Sequence, residues 1–191
     1  VAFGAGDESR PIEVYAQAPG QRTTIMHSVE GDYTTTYDGR AGWVATPYTP
    51  LPVMPLTGGE LDGARVDAEM AFPGRIKEVF SDWRVSFPDF IDDRLVRVVQ
   101  GGAANEGALA TLYFDDETGL LTRMIRYAPS AVGRVPTQYD YADYREVGGV
   151  MLPFSWTKSW VSGQDVVELS EVQPNVPIDA ATFARPAPST P

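Results

Sequence analysis

A mainly β protein of the α+β class, with an antiparallel sheet that curves on itself and carries one short helical insertion, is predicted by three features of the sequence. Apolar and polar residues alternate with period two through most of the chain. Turn residues cut that alternation at short intervals, and one stretch, residues 60–83, changes to helical spacing. A sheet of this many strands curls or closes, because flat open sheets of such width are uncommon.

Residues 12–45 read as a meander. The segments IEVYA, RTTIMHSV, YTTTY and AGWVA are strands, and APGQ, EGD and DGR are the turns between them. In YTTTY, Tyr33, Thr35 and Tyr37 share one face and Thr34 and Thr36 the other; both sets favour strands, so both faces are expected to be sheltered. The pair Asp38-Gly39 suits the positive-φ geometry of a hairpin turn, after which Trp43 enters the sheet. The proline-rich TPYTPLPVMPLTGG, residues 46–59, lacks the donors of a central strand and reads as a long connection. In residues 60–83, Leu61, Ala64, Ala68 and Ala71 recur at helical spacing, followed by Ile76, Val79, Phe80 and Trp83. Two short helices meeting at Pro73 are expected, since proline interrupts a continuous helix.

Strands resume at Arg94 with RLVRVVQ, ALATLYF, LLTRMIRYA, TQYDYADYREV, LPFSWTKSWV and DVVELSEV. Alternation places Phe154, Trp156 and Trp160 on one side of a strand with Lys158 among them, and Leu121, Ile125 and Tyr127 on one side of another. The closing NVPIDAATFARPAPSTP holds one helical turn and then a tail, residues 187–191, expected to be flexible. No linker divides the chain, so residues 1–186 form one domain, with 46–83 as proline-rich connection plus helical lid. The opening VAFGAGDESRPIEVYAQAP alternates in strand fashion from the start, as in a processed product or a piece of something longer.

Composition excludes several functions. The 191 residues are 43% hydrophobic and 21% charged, a globular balance, and the net charge of −11 repels nucleic-acid phosphates and anionic bilayers. Cysteine is absent, so disulfides, thiol nucleophiles and covalent haem are excluded. No apolar run reaches the roughly 18 residues of a membrane span. His27 is the one histidine, too little for a zinc site, and no nucleophile elbow, Walker loop or dinucleotide fingerprint is present. Carboxylates crowd at Asp92-Asp93, Asp115-Asp116-Glu117 and Asp140/Asp143, which raises calcium or glycosidase chemistry. DDETG fits better as a turn between TLYF and LLTRMI, and Asp140 and Asp143 are an odd number of positions apart, on opposite faces of a strand. No catalytic residue, metal or cofactor is expected.

The order of YDGRAGWVATP, YFDDETGLLTRMIRY, YADYREVGGVMLPFSWT and NVPIDAATFARP resembles the LolA/LolB-like fold of periplasmic lipoprotein-sorting proteins. More narrowly, GRVPTQYDYADYREVGGVMLPF and ELSEVQPNVPIDAATFARP are similar to the carboxy-terminal domain of acidobacterial-type proteins of the photosynthetic reaction-centre cytochrome c subunit family. The resemblance runs from about Pro11 to Pro186. It implies an unclosed half-barrel with a helical lid over an apolar cavity, in a periplasmic or extracellular bacterial protein without enzymatic activity. Trp43, Leu121, Ile125, Tyr127, Phe154, Trp156 and Trp160 would line that cavity, with Leu61, Ile76, Val79, Phe80 and Trp83 as the lid. The ligand would be a lipid or hydrophobic segment. The alternative is a structural or accessory subunit that packs on a c-type cytochrome or self-assembles into a polymer. The chain departs from the family pattern in lacking the amphipathic N-terminal helix, which leaves a sheet edge open to a partner.

Overall fold

The computed structural model describes residues 2–3, 9–47, 49–102, 109–130 and 133–188; residues 189–191 of the expected tail lie outside them. Two short strands, β1 (Ala2–Phe3) and β2 (Ser9–Arg10), precede the meander. The meander forms as expected: β3 (Ile12–Gln17), β4 (Gln21–Met26), β5 (Tyr33–Tyr37) and β6 (Gly42–Ala45) pair in chain order. Its DG turn is closed by Asp38, whose Oδ1 accepts from the N–H groups of Arg40 at 2.8 Å and Ala41 at 2.7 Å while Gly39 takes φ +99°. The proline-rich connection adds one short edge strand, β7 (Val53–Pro55), on β6. Proline is compatible with an edge and not with a centre.

After β7 comes α1 (Gly58–Glu69), then a 3-10 helix (Pro73–Glu78) in place of a second α-helix. The strand pattern resumes earlier than Arg94. Two short strands, β8 (Asp82–Val85) and β9 (Asp89–Ile91), both pair with β10 (Arg94–Gly102), so Trp83 stands on a strand and not on the helical lid. The rest is a long antiparallel series: β11 (Leu109–Asp115), β12 (Leu121–Ser130), β13 (Gly133–Val147), β14 (Val150–Trp160) and β15 (Gly163–Glu168). Strands β1 and β2 close its far side, on β15.

Curved, unclosed antiparallel sheet is thus the architecture, but the expected single long sheet is two. Among the described residues, a five-stranded sheet (β3–β7) and a ten-stranded one (β1, β2, β8–β15) share no strand pairing. The helix is the layer between them. It packs on β12 of the large sheet and on β4 and β5 of the small one, and no residue from Leu61 to Met70 is exposed. The helix is an inner layer, because an element with Val66 and Ala68 fully buried needs cover on both sides. The core lies on the helix-facing side of the large sheet: Val66, Val79, Phe80, Ala110, Leu112, Met124 and Tyr139, with Ile76, Phe114, Leu121, Tyr141 and Trp156 packed against it. Each large apolar side chain buried there contributes about 1.5–3 kcal/mol.

The carboxylate clusters are turns or have separate partners. Asp115 Oδ1 accepts from both the N–H and the hydroxyl of Thr118, each at 2.8 Å, and Gly119 takes φ +69°. Asp92 and Asp93 hold positive φ between β9 and β10. Asp140 pairs with Arg123, and Asp143 with Arg145. The closing segment makes a 3-10 turn, Ala180–Phe183, which buries Phe183 and lies on β4, where Thr23 donates to the Thr182 carbonyl at 2.8 Å.

Candidate functional site

The helix-facing side of the large sheet collects the side chains that could meet a ligand. Registers place Met124 and Arg126 of β12, Tyr139 and Tyr141 of β13, and Trp156 and Lys158 of β14 on that one face, since directly paired residues project together. Tyr139 and Tyr141 stack with centroids 6.2 Å apart and planes 11° apart. Lys158 Nζ lies 5.7 Å from the Tyr139 ring centroid on β14, and Arg126 Cζ lies 5.8 Å from it on β12. Phe154, one step along β14, is buried beneath the Arg145 guanidinium, whose Cζ is 4.4 Å from the ring centroid.

At the centre of this face the helix and the sheet meet through polar groups. Tyr139 donates its hydroxyl proton to Asp67 Oδ2 of α1 at 2.9 Å, and Arg126 Nη2 donates to the Tyr139 oxygen at 3.4 Å. Arg126 Nε faces Asp67 Oδ1 at 3.4 Å as an ion pair, and these two buried atoms have no hydrogen bond. Gly63, one helical turn before Asp67, makes room: a Cβ there would lie 2.2 Å from Arg126 Nη1. Burial is the largest single influence and opposes the Arg126 charge, yet Asp67 together with Tyr139 and Tyr141 outweighs it and the arginine pKa moves upward. Burial also raises the pKa of Tyr139 and, further, of Tyr141, so both stay neutral and Tyr139 keeps the proton it donates. Asp165, opposite Lys158 on β15, has its pKa raised by burial, with Lys158 opposing.

The residues expected to line a cavity are divided by this geometry. Phe154 and Trp156 lie on the helix-facing side, and Trp160 ends the same strand, 37% exposed, with Nε1 donating to Ser162 Oγ at 3.1 Å. Leu121 does not share a face with Ile125 and Tyr127. Leu121 pairs with Phe114 and Arg123 with Tyr113, so Thr122 is an extra residue that reverses the alternation; its hydroxyl donates to Tyr113 O at 3.0 Å. Leu121 therefore packs into the core, whereas Ile125 and Tyr127 project from the opposite face. Trp43 shares a face with Thr36 and Thr23, on the side of the small sheet turned away from α1. Gly42 and Tyr37 take the helix side, where Leu56 and Leu61 approach Gly42. Of the lid residues, Val79 and Phe80 are core, Ile76 packs against them, Leu61 is half-buried, and Trp83 meets Phe80 edge-on at 5.3 Å.

Sequence patterning missed Asp67, Arg126 and Tyr139 as a set. The available signal was a glycine and an aspartate one turn apart on the helix, Gly63 and Asp67.

Two open recesses lie elsewhere. One, of about 480 Å³, runs between Tyr15, Thr23, Ile25 and Thr36 and the segment Ala181–Pro188. The other, of about 580 Å³, lies between residues 9–11 and 27–30. His27 there is held by carboxylates, with Nδ1 2.8 Å from Asp32 and Nε2 3.5 Å from Glu13. The Asp32 hydrogen bond raises its pKa. Among the described residues, no three His, Asp or Glu side chains converge as metal ligands, and no helix is long and apolar enough to cross a membrane.

No protein-family model matches the chain, and no curated protein does. Solved structures do. A DUF1329 family protein from Desulfovibrio piger superposes with a TM-score of 0.62 at 11% identity, covering 96% of this chain and 85% of that one. A domain named for outer membrane lipoprotein sorting, from Vibrio parahaemolyticus, gives 0.56 at 10% identity over 91% and 80% of the two chains. A LolA superfamily protein from Nitrosomonas europaea gives 0.45 at 15% identity over 85% and 84%. At these identities the likeness is one of fold, and the fold this chain shares with the first two structures is a mainly β one, here built of curved antiparallel sheets that do not close.

Proposed function

We propose that residues 1–186 act as one non-enzymatic, exported LolA-like domain that holds a lipid or hydrophobic segment between its large sheet and α1. The observation that carries this reading is the half-buried aromatic strip of Tyr141 and Trp156 beside Lys158, on the face that α1 covers only in part. Such a surface offers apolar area to an acyl chain and a cation to an acidic headgroup. The core under α1 is filled by the protein's own side chains, so a long ligand enters by displacing the helix. Asp67, Arg126 and Tyr139 form the tie that this step breaks. Similarity to a domain named for lipoprotein sorting supports the reading.

The test is native mass spectrometry of gently purified protein, followed by titration with a fluorescent fatty acid. Co-purified lipid, and uptake weakened about tenfold in Trp156→Ala, are the expected results. Absence of lipid together with no uptake by the unmodified protein rejects the reading.

A second reading, an accessory or structural subunit that joins a partner such as a c-type cytochrome or further copies of itself, is favoured by one observation. Strand β8 ends the large sheet and bears exposed apolar side chains.

A further inference from the structure

Residues 82–93 bring several exposed apolar side chains together. Val85 is 79% exposed, Phe87 89% and Phe90 68%. Val85 pairs with Val99 and Phe90 with Leu95, two positions of equal parity on β10, so both project from the face on which Trp83 meets Phe80. The aromatic wall of the core thus continues past Phe80 to the sheet edge.

The edge itself is unoccupied by any described strand: β8 pairs with β10 on one side and ends the sheet on the other. Ser86 N–H donates inward to Val98 O at 2.9 Å, so by alternation the main-chain groups of Val85 and Phe87 face outward. The edge strands are short and carry charge at Asp82, Arg84 and Asp89, but exposed apolar side chains stand between those charges, and the one proline, Pro88, lies between β8 and β9, so it does not block β8 itself.

The surrounding charge decides what can dock. Within residues 82–93 the carboxylates of Asp82, Asp89, Asp92 and Asp93 stand against Arg84 alone, three net negative charges. The nearest arginines of β10 are already engaged, Arg94 with Asp115 at 2.8 Å and Arg97 with Asp116. A second copy would bring a like-charged edge to this one, and an anionic bilayer would be repelled in the same way. A cationic strand is attracted.

We propose that the outer edge of β8, with Val85, Phe87 and Phe90, is a docking site for an extended basic segment of a partner protein, which adds as a strand and alternates apolar with Lys or Arg side chains. This rests on the second reading above and is independent of lipid uptake; it supplies the edge and the partner's chemistry.

The experiment uses the full chain and two fluorescent ten-residue peptides, one alternating lysine with valine and one alternating glutamate with valine. The lysine peptide is expected to bind saturably, and more weakly by at least about tenfold for the glutamate peptide or in high salt. Val85→Pro removes an outward N–H and no ladder bond, and is expected to weaken binding about tenfold. Phe87→Ser with Phe90→Ser, both at exposed positions, serves as a second variant with the same expectation. Equal binding of both peptides overturns the basic partner while leaving edge assembly standing. Failure of the lysine peptide to bind, binding unchanged in both variants, or concentration-dependent self-association through this edge overturns the proposal.

Discussion

Tyr139 on β13 and Asp67 on α1, separated by 72 positions in sequence, share a hydrogen bond of 2.9 Å at the buried centre of the molecule. Together with Arg126 they fix the helix against the large sheet. Replacing Asp67 by alanine leaves a buried guanidinium unpaired and the Tyr139 hydroxyl without its acceptor. Loss of about 3 kcal/mol or more is expected, measured as a shift of the urea midpoint at unchanged slope. A loss below about 0.5 kcal/mol would show that the pair is solvated.

Gly63→Ala inverts a general rule. In a helix interior, alanine is ordinarily more stable than glycine by about 0.5–1 kcal/mol. Here the added Cβ would sit 2.2 Å from Arg126 Nη1, so the guanidinium must leave its place beside Asp67. A net destabilisation is expected, with a lower thermal midpoint than the unmodified protein.

Asp115 predicts an acid-side dependence. Its hydrogen bond from the Thr118 hydroxyl, then the backbone N–H of Thr118 and the charge of Arg94, hold its pKa below the ordinary 3.8. A depressed folded-state pKa contributes stability that is present above the unfolded value and lost as pH falls through the folded one. Thr118→Val should therefore lower the melting temperature at neutral pH, and the gap to the unmodified protein should close below about pH 4. A gap independent of pH would assign the effect to packing.

His27 behaves oppositely. Its pKa is raised, chiefly by the hydrogen bond to Asp32, so its contribution is fully present below the ordinary 6.5 and lost as pH rises through the folded value. The site is partly exposed, and the effect is small and screened by salt. His27→Gln is expected to lower the melting temperature at about pH 5 and to match the unmodified protein near pH 9. A difference that persisted at the upper end would refute the assignment.

What the sequence determined by itself is local. The meander from Ile12 to Ala45, the turn closed by Asp38 and the turn closed by Asp115 follow from side-chain oxygens reaching N–H groups two or three positions ahead, contacts that any reading of neighbours can find. The change of period at residues 60–83 likewise marked the helical insertion, though not that its second part is a 3-10 helix or that Trp83 begins a strand. Tertiary structure decided the rest. The extra residue Thr122 turned Leu121 away from Ile125 and Tyr127, because a side-chain period of two reverses at a single bulge and composition does not mark where. Trp43 faces away from the helix, since the face a strand presents depends on which sheet it joins. The pairing of Asp67 with Arg126 and Tyr139 arose only when α1 came to lie between two sheets: burial makes such charges seek one another, and burial belongs to the packed molecule.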